Sequence, residues 1–161
     1  MRGRAKRGPV IQRVLIVILL LAAAAGTVPA QSFLFGDRDN EIFVWAGVSD
    51  IYGDWSATLV GFNYGRHVLP YLMVEGGVEH CSDDPNSATW LNLNALLQAP
   101  LPGRFKFYGL AGTHNLIHLQ LGVGTKVFIL PNVAGRLEYA YVHDDDAGWT
   151  NSLRGGVVLA F

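Results

Sequence analysis

Six charged residues break the apolar stretches downstream of residue 70: Glu75, Glu79, Lys126, Arg136, Glu138 and Arg154. Carboxylates and cations set singly among apolar residues need partners of opposite sign, so ion pairing is the chemistry their types support. A second group is purely acidic. Asp144, Asp145 and Asp146 are consecutive, and Asp83-Asp84 forms a shorter run; hard carboxylate oxygens of this kind suit Ca²⁺ or Mg²⁺. Neither run has the regular ligand spacing of a calcium loop, so both read as solvated loop tips and no metal site is expected. Cys81, beside His80, is the single cysteine of the chain. It has no intrachain disulfide partner and no orienting group in the sequence, which makes it a passive residue at a strand end. Gly122-Val123-Gly124 is no phosphate loop, because no helix follows it. No cofactor is expected.

The elements that must position these residues have period two. From His118 to Val127, Leu119, Leu121, Val123 and Val127 fall on one face, while His118, Gln120, two glycines and Lys126 fall on the other. This is the alternation of a strand. Leu91, Leu93, Ala95 and Leu97 oppose Asn92, Asn94 and Gln98 in the same way, and Leu72, Val74 and Val78 oppose Glu75 and Gly77. At the end of the sequence Leu153, Val157, Leu159 and Phe161 oppose Arg154, Gly156 and Val158. Further strands near 41–49, 55–65, 105–113 and 135–143 complete a set of eight. Their connections alternate in character. Those at 50–54, 82–87, 114–115 and 144–148 are acidic or polar, and those at 66–70, 99–104 and 130–133 contain proline. Consecutive antiparallel strands place alternate connections at opposite ends of a sheet, so an up-and-down meander with one acidic end is expected.

Soluble and transmembrane barrels share this topology, and polarity separates them. A soluble lipocalin-like barrel turns its apolar face inward; a transmembrane barrel turns it toward lipid and keeps a polar interior. The six central charges lie opposite the cleanest apolar stripes and interleave with glycines, which suit a crowded interior. Lys126, Arg136 and Arg154 on a lipid face at mid-depth would cost roughly 2–4 kcal/mol each. They are expected inside, with Glu75, Glu79 and Glu138 as partners, while Glu41 and Lys106 read as rim positions. Trp45, Trp55, Trp90 and Trp149, with Tyr71, Phe105, Phe107 and Tyr141, read as interfacial aromatic girdles. The fold expected is therefore all-β, an eight-stranded antiparallel transmembrane barrel over residues 41–161.

Composition agrees and adds a location. The 161 residues are 50% hydrophobic and 16% charged, with 19 glycines and a formal net charge of −1, which excludes a disordered tail and a nucleic-acid-binding surface. Five of the 12 basic residues precede residue 14. An apolar run of 12 residues, Val14 to Ala25, follows them, and Val28-Pro29-Ala30 then matches a cleavage site before Gln31. Residues 1–30 read as a cleaved signal peptide and 31–40 as a short lead. Residues 31–161 retain seven basic and 13 acidic residues, a net charge of −6.

The segment from Gly122 to His143, with its Gly-x-Gly strand, Pro131-Asn132 turn and Arg136-Leu137-Glu138-Tyr139 strand, resembles the penultimate hairpin of the OmpA-like eight-stranded outer-membrane barrels. Ser152 to Phe161 resembles the last strand of that family. The resemblance implies location in the bacterial outer membrane and contact with its lipid and lipopolysaccharide. It also implies recognition of Phe161 by the barrel assembly machinery, and a structural or surface-interaction role. An eight-stranded interior is just wide enough for side chains to fill, so an open pore is not expected; a monomer is favoured. Two alternatives remain. One is a lipid A-modifying enzyme: His143-Asp144-Asp145-Asp146-Ala147-Gly148 resembles the His-x-Ser-Asn-Ala-Gly segment of outer-membrane lipid A deacylases, whose histidine activates the serine. Here Asp145 stands where the serine should be, and a carboxylate cannot form the ester intermediate by that route. His80-Cys81-Ser82 is a second His-x-Ser, without the flanking motif. The other alternative is a small porin-like or ligand-binding barrel.

Overall fold

The computed structural model describes residues 38–51, 54–83, 86–99, 103–144 and 148–161. The segment read as a signal peptide and residues 31–37 of the lead lie outside them, as do Asp84, Asp145 and Asp146. Eight strands form one closed antiparallel barrel in chain order. They are β1 (Asn40–Ile51), β2 (Asp54–Leu69), β3 (Leu72–Asp83), β4 (Asn86–Gln98), β5 (Phe105–His114), β6 (His118–Leu130), β7 (Val133–Asp144) and β8 (Gly148–Ala160). Several strands run past the apolar stripes into segments read as loops. β3 continues through Ser82 and Asp83, and β2 through Arg66 to Leu69. Backbone pairing at these ends is kept by tight connections: only two residues, Pro70 and Tyr71, separate β2 from β3. Between β5 and β6 the turn uses Asn115 and Leu116 at φ 51° and 59°, the left-handed conformation a tight reversal demands. That turn sets His114 opposite His118.

The register fixes the barrel's shape. Stepping from Asn40 through Arg66, Val74, Ala95, Ala111, Leu121, Tyr141 and Asn151 returns to β1 at Asp50, ten residues displaced. A displacement of ~33 Å against a girth of ~38 Å for eight strands tilts them by about 40°. The seam closes where Phe161 N–H donates to Asn40 O (2.9 Å) and Asn40 N–H donates to Phe161 O (3.2 Å).

Facing follows the alternation, and the polarity is inside out. Outward residues such as Val123 and Ile129 are 62% and 67% exposed, while inward Lys126 and Arg136 are 0% and 3% exposed. Luminal glycines make room for the larger inward side chains. A Cβ at Gly61 would meet the Trp45 ring, at Gly77 the Asn63 amide, at Gly112 the Asn94 amide and at Gly124 the Tyr108 hydroxyl. Two of the expected girdle residues are corrected by this. Trp45 is buried in the lumen and Trp90 packs on the luminal cluster of Phe43, Leu59 and Cys81, because both share the inward parity of their strands. Trp55, Trp149, Tyr71, Phe105, Phe107 and Tyr141 are outward and exposed.

Candidate functional site: the luminal charge network

All six charges singled out in the sequence point into the lumen and are buried. Local pairing explains which partners they take. Lys106, Lys126 and Arg136 lie side by side on β5, β6 and β7. Three cations in one row repel one another, so their charges are met from elsewhere on the wall. Lys126 reaches Glu41 on β1, with His67 Nε2 3.3 Å from the other Glu41 oxygen. Arg136 crosses to β3, donating from Nη1 to Glu75 Oε2 (2.7 Å) and from Nη2 to Glu75 Oε1 (3.1 Å). This two-pronged geometry is the strongest form of carboxylate–guanidinium pairing.

The network spreads from Arg136. Its Nε donates to the Tyr108 hydroxyl (2.6 Å), which donates onward to Glu138 Oε2 (3.0 Å). Nη2 also pairs with Glu138. Its guanidinium carbon lies 4.1 Å from the centre of the Phe43 ring. On the Glu75 side, Asn63 Nδ2 donates to Glu75 Oε1 (3.0 Å), and Trp45 Nε1 donates to Asn63 Oδ1 (3.1 Å). Toward the acidic end Arg154 pairs with Glu138 Oε1 (3.4 Å) and Glu79 Oε2 (3.0 Å). His114 Nε2 stands 3.5 Å from Glu79 Oε1 and edge-on to Trp90 at 4.7 Å.

Of the three cations expected to pair with Glu75, Glu79 and Glu138, Arg136 and Arg154 do so and Lys126 instead takes Glu41; Asn63, Tyr108, His67 and His114 join the network without a signal in the local sequence. Glu41, expected at the rim, is buried in the lumen because it shares the parity of Phe43 and Trp45. The remaining candidates stay apart from this network. His80 and Ser82 face outward, and His80 Nδ1 pairs with Thr89 Oγ1 at 3.0 Å. His143 also faces outward and packs edge-on to Trp149, ring centres 4.8 Å apart. Asp144 ends β7, and its side chain, like Asp145 and Asp146, lies outside the description. Cys81 is luminal and buried. Among the described residues no three histidine, cysteine or carboxylate side chains converge on a metal position. Chemically, the network pairs each of its carboxylates with at least one cation. It braces opposite walls and fills the lumen.

No protein-family model matches the sequence, and no curated protein matches it. Solved structures do match. A de novo designed transmembrane β-barrel has a TM-score of 0.62 at 18% identity, with 76% of this chain and 94% of that chain covered. The N-terminal β-barrel domain of Pseudomonas aeruginosa OprF has a TM-score of 0.59 at 15% identity, with 76% and 98% covered. Ail, the attachment invasion locus protein of Yersinia pestis, has a TM-score of 0.55 at 15% identity, with 76% and 96% covered. The chain therefore has the closed eight-stranded fold of transmembrane barrels.

Proposed function

We propose that this chain is an integral outer-membrane barrel with a sealed lumen, serving envelope integrity or surface interaction rather than passage of solutes. The observation that carries this reading is the inverted polarity: a belt of exposed apolar side chains encircles a lumen of buried ion pairs. In water such an exterior would aggregate, whereas against lipid it is the favoured one. Strands of about 12 residues tilted about 40° rise ~30 Å, enough for an apolar band of ~25 Å. The likeness to OmpA-like barrels over Gly122–His143 and Ser152–Phe161 supports the same location. Export through residues 1–30, recognition of Phe161 by the assembly machinery, and contact with lipopolysaccharide as a monomer belong to this reading. In it the proline-marked connections face the periplasm and the acidic ones the exterior.

Two measurements test it together. In carbonate-washed membranes the protein should remain in the pellet and migrate differently in gels before and after boiling; release into the wash would refute membrane residence. A deletion strain should become more sensitive to detergents and large antibiotics with an unchanged lipid A mass spectrum. Loss of an acyl chain from lipid A on overexpression would instead assign a deacylase activity.

A further inference from the structure

We infer that the open edge of β4 at the acidic end, from Ser87 to Leu91, docks a cationic peptide segment in extended conformation, which joins the wall as a further strand. The inference rests on the reading that this end faces the exterior. β4 is paired on one side only here. With β3 it keeps an unbroken register from Leu72↔Leu97 to Asp83↔Asn86. With β5 it pairs from Gln98↔Tyr108 only as far as Asn92↔His114, because β5 turns back there through Asn115, Leu116 and Ile117 into β6. Residues 87–91 therefore run ~17 Å past the last β5 pair. Two hydrogen bonds at the other end of the strand fix which way its backbone groups point. Gln98 N–H donates to Tyr71 O on the β3 side, and Ala99 N–H donates to Phe107 O on the β5 side. Alternation along an antiparallel strand then directs the N–H and C=O of odd-numbered β4 residues toward β5. For Ser87 and Thr89, no described residue pairs with them there.

The surroundings of this edge select its occupant. Edges that must stay unpaired are blocked by charge, proline or a bulge. Asn86 to Leu91 reads Asn-Ser-Ala-Thr-Trp-Leu in regular register, with none of these. The edge also stands in water. Open edges do not occur within hydrocarbon, and the outward side chains at this level are polar, His80 Nδ1 lying 3.0 Å from Thr89 Oγ1. Below it the β5–β6 turn leaves Leu116 and Ile117 41% and 51% exposed, an apolar seat for a strand that takes up the line of β5. Charge decides the sign of the partner. The connections at this end, 50–54, 82–87, 114–117 and 144–148, hold seven aspartates and neither lysine nor arginine. Attraction steers a cationic segment toward the edge, whereas a second copy of this chain would have to bring two acidic ends together. Main-chain pairing with Ser87 and Thr89 then holds the segment in extended form.

The test uses the full barrel in phosphatidylcholine nanodiscs, with empty nanodiscs as the blank. The probe is a fluorescent peptide of about eight residues alternating lysine and valine, followed by anisotropy. It should bind saturably. An N-methylated analogue of equal charge cannot donate to the edge and should bind about tenfold more weakly, as should a peptide with glutamate in place of lysine. Thr89→Pro removes a donor from the open side without touching the β3 ladder. It should weaken binding about tenfold while the protein still migrates as a folded barrel. Thr89→Ala keeps the donor and should bind like the parent. Absence of saturable binding would overturn the proposal. So would binding indifferent to both N-methylation and Thr89→Pro, which would reduce the site to attraction by the acidic rim. The same peptide on intact cells tests the orientation separately. Edge-dependent binding in nanodiscs, with none on cells producing the protein, would uphold the edge site and overturn the exterior placement of the acidic end.

Discussion

Every nitrogen of the Arg136 guanidinium is engaged: Nε with Tyr108, Nη1 with Glu75, and Nη2 with Glu75 and Glu138. Glu75 therefore depends on this one guanidinium for its charge balance, while Glu138 shares it with Arg154. Arg136→Met should cost about 3–5 kcal/mol, because it strands buried carboxylates rather than merely losing contacts. The diagnostic is a cycle with Glu75→Gln. If the loss is electrostatic, the double variant unfolds at a higher urea concentration than Arg136→Met alone, although it has lost one more native group. A double variant that is simply additive would show that packing against Phe43, at 4.1 Å, is what Arg136 contributes. At this scale the sequence revealed which residues were charged and which way they pointed. It did not reveal partners. Lys126 meets Glu41, 85 residues away in the chain, because closure of the barrel brings β1 across from β6. Nothing local to either residue encodes that encounter.

At the level of strands, the same residue type has opposite roles on opposite faces. Gly124 faces the lumen, and a Cβ there would run into the Tyr108 ring and hydroxyl. Gly109 faces outward, with nothing within 4 Å of an added Cβ. Gly124→Ala should therefore displace Tyr108 from Arg136 and Glu138 and lower the unfolding midpoint, whereas Gly109→Ala should be neutral or slightly stabilising, since alanine restricts the unfolded chain more than glycine does. Equal effects would contradict the assigned facing. The outward face carries a depth scale of its own. Val123 lies at the middle of β6 and Thr89 near the acidic end of β4. In lipid, Val123→Arg should cost about 2–4 kcal/mol and Thr89→Arg about 0–1 kcal/mol. Refolding into bilayers of defined thickness under urea measures both, and a reversed order would move the membrane belt. Strands were the most legible part of the fold, because period-two alternation is local. Their ends were less so: hydroxyl-bearing and charged residues such as Ser82, Asp83 and Arg66 continue the ladder beyond the apolar belt while reading as loop.

For the molecule as a whole, the ten-residue displacement around eight strands sets the width of the interior. With a tilt of about 40° the backbone cylinder has a radius of ~8 Å, which side chains from facing walls can bridge. They do so at two levels. Glu41, Lys126 and His67 join β1, β6 and β2 near the proline-marked end, and Arg136, Glu75, Tyr108, Glu138 and Arg154 join β3, β5, β7 and β8 in the middle. Neither level leaves an ionic side chain free to swing aside without abandoning a buried partner, so a transient opening costs at least one broken ion pair. The protein reconstituted in planar bilayers should accordingly show no sustained current. Replacing both Arg136 and Tyr108 by alanine removes the side chains that span the middle level and leaves Gly124 beneath the vacated space. That variant, where it still migrates as a folded barrel, should admit small ions measurably faster than the parent. The comparison separates two reasons for a sealed lumen. If the parent is silent and the variant leaks, the charge network is the seal. If the parent itself carries steady current, the packed levels are not continuous across the lumen, and the porin-like reading takes precedence over the structural one.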